Sequence, residues 1–181
     1  MKIKKTTLEG VLLIKPEPFI DGQGEFFTDA RGEFIEIYNK VKLNDLGIDI
    51  DFVEDDISVS KKDVLRGIHG DNRTWKLISC LYGKIFFVAV NCDEKSSNFG
   101  KWESFDLSQE NRWRVLLPPM HGCSHLTLTE KAIFYYKQSE IYKPGGQFTY
   151  KWDDPRFNIS WPIKNPILSA RDTTGNHLES K

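Results

Sequence analysis

Four side chains of this sequence have the types needed to move a proton next to a carbonyl group. His69 follows the strand-like segment 64–68 and can act as a base, and Lys76, seven residues later (76 − 69 = 7), can face a developing oxyanion. Tyr136 offers a phenol as a general acid, and Asp172 offers a carboxylate that can orient a histidine. Together they predict that a proton α to a carbonyl is removed and that a proton is returned on the opposite face.

Each of these residues also has a purely structural interpretation. A lone histidine such as His69 is more often a hydrogen-bonded core residue than a base. Lys76 can bury its stem and keep its charge in water, and an inward tyrosine can be a core hydrogen-bonding group. Asp172 can cap a turn. The catalytic interpretation therefore depends on all four residues meeting at one place.

A metal site is the main alternative chemistry, because His121 and His125 lie close to Cys123 and Glu130. In a strand, residues four apart share a face but lie ~13 Å apart, which is too far for one ion. We therefore predict no metal and interpret His121 as a turn residue and His125 as a wall residue.

The elements that position these residues are predicted to be short β-strands, bounded by Gly, Pro, Asn and Asp. Alternation along 64–69 places Gly67 and His69 on one face and Arg66 on the other. One helix is predicted over 40–46, ended by Gly47. This pattern predicts an all-β barrel or jelly roll rather than βαβ units. The predicted strands are 11–14, 32–38, 56–60, 75–80, 84–90, 102–107, 113–117, 125–128, 132–139 and 148–150.

The composition limits the class of protein. With 181 residues, we expect a single domain over 1–181 with a loose polar tail over 173–181. A net charge of −1 gives no basic field for nucleic acid or a membrane surface, and no apolar run approaches a membrane span. The three cysteines form no CxxC pair, and no secretory h-region is visible, so we expect a cytoplasmic protein. Rossmann and P-loop glycine motifs are absent.

A series of motifs in fixed order resembles the dTDP-4-dehydrorhamnose 3,5-epimerase family of the cupin superfamily, over most of the chain from 27 to 172. The motifs are FTDARGEFIE at 27–36, SVS at 58–60, VLRGIH at 64–69, KLI at 76–78, VAV at 88–90, FGKW at 99–102, LS at 107–108, YK at 136–137, WDDP at 152–155, ISWP at 159–162 and LSARD at 168–172. The resemblance implies a cupin jelly roll, an isomerase without a cofactor, and a homodimer that shares strands between subunits.

The resemblance also implies roles for individual residues. His69, oriented by Asp172, would remove the C3 or C5 proton of a 4-keto sugar. Lys76 would stabilise the enolate oxygen, and Tyr136 would return a proton from the opposite face. The implied substrate-binding residues are Arg31 and Arg66 for the diphosphate, Phe27 and Glu36 for the nucleotide base, and Tyr142 near the phosphates.

Three departures from the family pattern bear on the substrate. The segment between His69 and Lys76 is shorter than in the rhamnose enzymes, and Cys123 stands where the family has a histidine in its phosphate region. His121 or His125 can substitute for that histidine. Glu54 and Asp56 replace a Gln and an Asn. Two carboxylates suit the N1–H and exocyclic amine of guanine better than thymine. Residues 69–77 also resemble the branch acting on GDP-4-keto-heptoses in bacterial capsule polysaccharide biosynthesis, so a GDP-linked substrate is predicted.

Several alternatives stay open from the sequence. Glu54 and Asp56 can simply be solvated acids at the end of a strand. The protein can be a dTDP-4-keto-6-deoxyhexose 3,5-epimerase, a cupin sugar ketoisomerase, or a cupin that binds a sugar nucleotide without catalysis.

Overall fold

The computed structural model describes residues 1–143 and 145–175 and consists mainly of β-strands. Its elements are β1 (Lys2–Lys5), β2 (Leu12–Lys15), β3 (Phe26–Asp29), β4 (Gly32–Ile35), α1 (Lys40–Asp45), β5 (Glu54–Lys61), β6 (Leu65–Gly70), β7 (Lys76–Tyr82), β8 (Lys84–Asn91), β9 (Trp102–Ser108), β10 (Arg114–Leu117), β11 (His121–Thr127), β12 (Lys131–Gln138), β13 (Phe148–Thr149) and α2 (Ala170–Thr174).

The strands form two large sheets and one separate hairpin. One sheet has six strands in the order β1-β2-β10-β7-β12-β5, and the other has five in the order β13-β6-β11-β8-β9. Among the described residues, strands β3 and β4 pair with each other and join neither large sheet, and an isolated parallel bridge connects Phe26 to Pro18. The main core lies between the two large sheets, since Ile78 and Phe134 of one sheet pack with Phe87 and Leu107 of the other. This arrangement confirms the predicted all-β jelly roll.

Two smaller clusters cover the outer faces of these sheets. Leu43 of α1 packs with Ile14 and Leu77 on the outside of the six-stranded sheet. Ile68 packs with Phe148 and their neighbours on the outside of the five-stranded sheet. Strands buried on both faces carry long apolar runs, as β8 does, because neither face meets water.

The predicted strands match the observed ones, with shifted ends. The prediction omitted the N-terminal strand β1 and strand β3, and it began the β11 strand at His125 instead of His121. Helix α1 is as expected, with Gly47 at φ +80 just beyond it. Thr173 and Thr174 belong to α2, so the tail predicted to be loose does not begin at 173. Residues 176–181 lie outside the described part of the chain.

A bulge between β6 and β11 changes which side chains share a face. Arg66 pairs with His125, and His69 pairs with Cys123, so β6 advances three residues while β11 advances two. The extra residue reverses the alternation. Gly67, at φ +112, lies within this bulge. The prediction that Arg66 faces away from His69 is therefore wrong, since both side chains line the same cavity.

Within residues 1–143 and 145–175, no helix has the length and apolar character needed to cross a bilayer.

Candidate active site

A cavity of about 350 Å³ is lined by side chains of β5, β6, β7, β11, β12 and α2, together with Tyr142 and Gln147. It contains all four residues predicted to move a proton. Its lining residues are Ser58, Arg66, His69, Lys76, Cys123, His125, Phe134, Tyr136, Tyr142, Gln147, Ser169, Arg171 and Asp172. A larger cavity of about 600 Å³ beside the N-terminus contains none of the predicted site residues.

His69 and Asp172 form a close pair at the centre of the site. The Nε2 atom of His69 lies 2.6 Å from Oδ1 of Asp172, whose side chain is almost fully buried. The Ser169 hydroxyl donates to the other carboxylate oxygen at 2.8 Å, and the same hydroxyl caps α2 by accepting from the Asp172 amide. The helix cap therefore fixes the carboxylate that holds the histidine.

The environment keeps Asp172 ionised. Burial alone raises the pKa of this carboxyl, because desolvation disfavours the charged form. The hydrogen bond and charge of His69, with the bonds from Ser169 and the Gly67 amide, outweigh burial and lower its pKa below the ordinary value. An anion is thus available beside the imidazole.

Lys76 and Tyr136 lie on neighbouring strands and point to the same face. Lys76 pairs with Gln138, and Tyr136 is two residues from Gln138 on β12, so the two side chains are diagonal neighbours. Lys76 is 4% exposed, and its ammonium lies 3.9 Å from the carboxylate of Asp71. That carboxylate also accepts from the Thr74 amide at 2.7 Å, which ties it to the turn before β7.

The phenol of Tyr136 remains protonated in this setting. Burial raises its pKa, and the nearby Asp56 carboxyl, Cys123 and Glu54 raise it further. A neutral phenol at the wall of the cavity can donate a proton. Its neighbour Tyr135 does not line the cavity.

Three of the predicted substrate-binding residues also lie in the cavity: Arg66, Cys123 and Tyr142. The exposed Arg66 donates from Nε to the Ser60 hydroxyl at 3.0 Å. Burial raises the pKa of the Cys123 thiol, so this group is neutral.

Glu54 and Asp56 lie on β5, outside the cavity lining. The Gln138 amide donates to Glu54 at 2.8 Å and to Asp56 at 2.9 Å, and the second oxygen of Glu54 accepts from the Tyr142 amide at 2.9 Å. Burial and the adjacent Glu54 raise the pKa of Asp56. Glu54 therefore holds the backbone at Tyr142 in place. Three of the four carboxylate oxygens of Glu54 and Asp56 already accept hydrogen bonds within the protein.

Phe27, Arg31 and Glu36 lie in and after the β3–β4 hairpin and do not reach the cavity of the same chain. Phe27 stacks on Phe34 with ring centroids 5.4 Å apart. Arg31 forms an ion pair with Asp29 at 2.6 Å, and Glu36 accepts from Lys42 at 2.8 Å.

The cavity also contains residues outside the predicted catalytic and substrate-binding set. They are Ser58, His125, Phe134, Gln147, Ser169 and Arg171. Arg171 was recognisable, because it adjoins Asp172 in a motif already linked to the site. Gln147 was not, since it lies in a segment without regular structure. Within 1–143 and 145–175, no three His, Cys, Asp or Glu side chains are grouped so as to hold a metal ion.

Two packed antiparallel sheets define a cupin-type jelly roll, and its cavity brings together a histidine–carboxylate pair, a lysine and a tyrosine, which are groups that can transfer protons. The profile of the dTDP-4-dehydrorhamnose 3,5-epimerase family matches residues 5–180, and the chain belongs to this family. It is accordingly an isomerase of the epimerase type.

Individual relatives agree with this assignment. The chain is 36% identical over 184 residues to the dTDP-4-dehydrorhamnose 3,5-epimerase of Salmonella typhimurium strain LT2, covering 99% of this chain and 96% of the relative. A crystal structure of dTDP-6-deoxy-D-glucose-3,5-epimerase from Legionella pneumophila, in complex with dTDP-4-keto-L-rhamnose, has TM-score 0.87 and 32% identity, covering 98% of this chain and 92% of that one. A 3'-monoepimerase from Streptomyces bikiniensis, in complex with dTDP-quinovose, has TM-score 0.84 and 28% identity, covering 96% and 86%.

These three relatives carry names or ligands that refer to dTDP-linked sugars. None of these three names refers to the GDP-linked substrate predicted from the sequence. The resemblance to the heptose branch stays a prediction.

Proposed function

We propose that the protein epimerises C3, C5 or both in a 4-keto sugar linked to a nucleoside diphosphate. The observation that carries this proposal is the meeting of the His69–Asp172 pair with Lys76 and Tyr136 in one cavity. A ketone at C4 acidifies the hydrogens on both neighbouring carbons, so one site of this kind can act on either.

His69 is the base in this scheme. An ionised carboxylate only accepts hydrogen bonds, so the Nε2 atom facing Asp172 carries the proton. The Nδ1 atom then has a free lone pair with which to remove the sugar proton. As the imidazole becomes positive, the Asp172 carboxylate stabilises the charge.

Lys76 and Tyr136 complete the reaction. The Lys76 ammonium stabilises the negative charge that develops on the C4 oxygen, and its burial strengthens that interaction. Tyr136 returns a proton to the carbon from the face opposite His69, which inverts the centre. Arg66 is exposed at the cavity and binds the diphosphate by charge-assisted hydrogen bonds.

The leading candidate for the substrate is a dTDP-linked 4-keto-6-deoxyhexose, because the relatives named above refer to such sugars. A GDP-linked sugar, such as a 4-keto-heptose for capsule synthesis, is the second candidate. It is favoured by Glu54 and Asp56, but the free acceptor capacity of this pair is reduced by Gln138 and Tyr142.

Titration with dTDP and with GDP separates these two candidates. Tighter binding of dTDP supports the leading candidate. Tighter binding of GDP that is lost in the Glu54→Gln/Asp56→Asn variant supports the second.

A homodimer is part of the proposal, and it places Phe27, Arg31 and Glu36 in the site of the other subunit. The support comes from two unpaired surfaces. Within the described part of the chain, the β3–β4 hairpin joins neither large sheet and exposes Phe27 and Phe34, and β5 is an edge strand that exposes Ile57 and Val59. Light scattering on the purified protein tests this, and a monomer would contradict it.

The reaction is tested by incubating the protein with dTDP-4-keto-6-deoxyglucose in deuterated water. Incorporation of deuterium at C3 or C5 with inversion supports epimerisation. A shift of the ketone would support a ketoisomerase. If neither the dTDP-linked sugar nor a GDP-linked 4-keto sugar shows exchange, the remaining function is binding of a sugar nucleotide without catalysis.

A further inference from the structure

The wall of the active-site cavity contains a second histidine, His125, that the proton-transfer scheme does not use. Its side chain is only 4% exposed, and its ring stacks on Phe134 with centroids 4.1 Å apart and planes 12° apart. Its Nε2 atom is buried and has no hydrogen-bond partner among the described residues. Buried polar groups nearly always have a partner, so this one needs an explanation.

The charge state of His125 limits the groups that it can bind. Burial, helped by the nearby Arg66 and His69, lowers its pKa to about 3, so the ring is neutral at physiological pH. A neutral imidazole has one donor and one acceptor nitrogen. This matches a hydroxyl group, which both donates and accepts, better than it matches a phosphate.

His121 provides a comparison on the same strand. It is also buried, and its Nε2 atom also lacks a partner among the described residues. It does not line the active-site cavity, and its Nδ1 atom is 3.1 Å from the Pro119 carbonyl oxygen. Of these two histidines of β11, His125 lines the cavity and His121 does not.

We propose that His125 is a specificity-determining residue whose imidazole ring hydrogen-bonds a hydroxyl group of the bound sugar. This inference rests on the proposed function, because it takes the 4-keto sugar to occupy the cavity. A 180° rotation about the Cβ–Cγ bond keeps the ring plane stacked against Phe134 and exchanges the two edges of the ring, so a nitrogen can face either side.

The test is a binding comparison with stable sugar nucleotides. Dissociation constants are measured for dTDP-glucose and its 2-deoxy, 3-deoxy and 6-deoxy analogues, and for GDP-mannose and its corresponding analogues, using wild type, His125→Phe and His121→Phe. Phenylalanine keeps an aromatic ring on Phe134 and removes both nitrogens. His121→Phe is the matched control for losing a buried histidine from the same strand.

The expected result is that one deoxy analogue binds wild type about tenfold more weakly than its parent. That difference disappears in His125→Phe and persists in His121→Phe. Equal binding of every analogue to wild type, or a preference that survives in His125→Phe, would overturn the inference. If His125→Phe does not fold, the test uses the imidazole ¹⁵N resonances of His125 in wild type. These resonances must shift when the parent sugar nucleotide binds and must not shift when the weakly binding deoxy analogue binds.

Binding requires no turnover, so this test is separate from the proposed function. Absence of deuterium exchange would reject epimerisation and leave the role of His125 to be decided by the dissociation constants. Failure of every sugar nucleotide to bind would overturn both.

Discussion

The imidazole of His69 and the carboxylate of Asp172 are in contact at 2.6 Å, although 103 residues separate them in the chain. The contact joins a strand of the five-stranded sheet to the short helix α2, whose N-terminal cap is Ser169. The position of the base therefore depends on the C-terminal part of the described chain.

Asp172→Asn is expected to lower the rate of deuterium exchange by about 10³-fold or more, with a smaller change in KM. An asparagine amide can donate to Nε2, which moves the ring proton to the nitrogen that should act as the base. Rates of exchange under saturating substrate measure the effect. Ser169→Ala removes a hydrogen bond to the Asp172 carboxylate but keeps the charge of that carboxylate, so it should lower the exchange rate much less. Similar losses in both variants would argue for a structural role of Asp172.

Tyr136→Phe is expected to separate proton removal from inversion. His69 can still remove the proton and return deuterium from the same side, so exchange should continue within about tenfold of wild type while inversion falls on the order of 100-fold. NMR of the sugar product distinguishes the two. Tyr135→Phe is the matched control, because Tyr135 precedes it on β12 and does not line the cavity. Normal inversion by Tyr136→Phe would reject its role as the acid.

Gly67→Ala is expected to destabilise the protein by roughly 3 kcal/mol or more and to displace His69. A Cβ atom at this position would lie 2.5 Å from the carbonyl oxygen of Cys123, and φ is +112. Gly32→Ala is the control, since Gly32 has φ +122 but nothing within 4 Å of a Cβ atom. Gly32→Ala should lower the free energy of unfolding only by the backbone strain, roughly 1 kcal/mol. Equal unfolding free energies for the two variants would mean that the bulge adapts to a side chain.

His125→Phe is expected to weaken the dependence of stability on pH. The pKa of His125 is 6.5 in a free side chain and about 3 in the folded protein. Between these values the unfolded state binds the extra proton, so stability falls as pH falls below 6.5, by up to roughly 1.4 kcal/mol per pH unit. Urea unfolding at pH 7, 6 and 5 measures this slope. Identical slopes for variant and wild type would show that His125 is not buried neutral.

Sequence patterns predicted the framework well, because it depends on local alternation. Strand β12 and strand β8 were recognisable from their own residues, and so were the four residues of the proton-transfer set. The face of Arg66 was not, since the bulge that turns it toward His69 comes from pairing with β11. An extra residue on one strand leaves no mark in the alternation of that strand.

The environments of the acidic residues were also beyond prediction. Glu54 and Asp56 share the amide of Gln138 only because β5 and β12 pair in one particular register. Likewise, no pattern in the sequence indicates that His125 stacks on Phe134 beside the base, since these residues lie on strands of different sheets.

The most direct test of the account is solvent deuterium exchange by wild type and His69→Asn with the same 4-keto sugar nucleotide. We expect rapid exchange at C3 or C5 by wild type and a loss on the order of 10³-fold or more in the variant, with substrate still bound. Substantial exchange by a folded His69→Asn protein would contradict the central claim that His69 is the base.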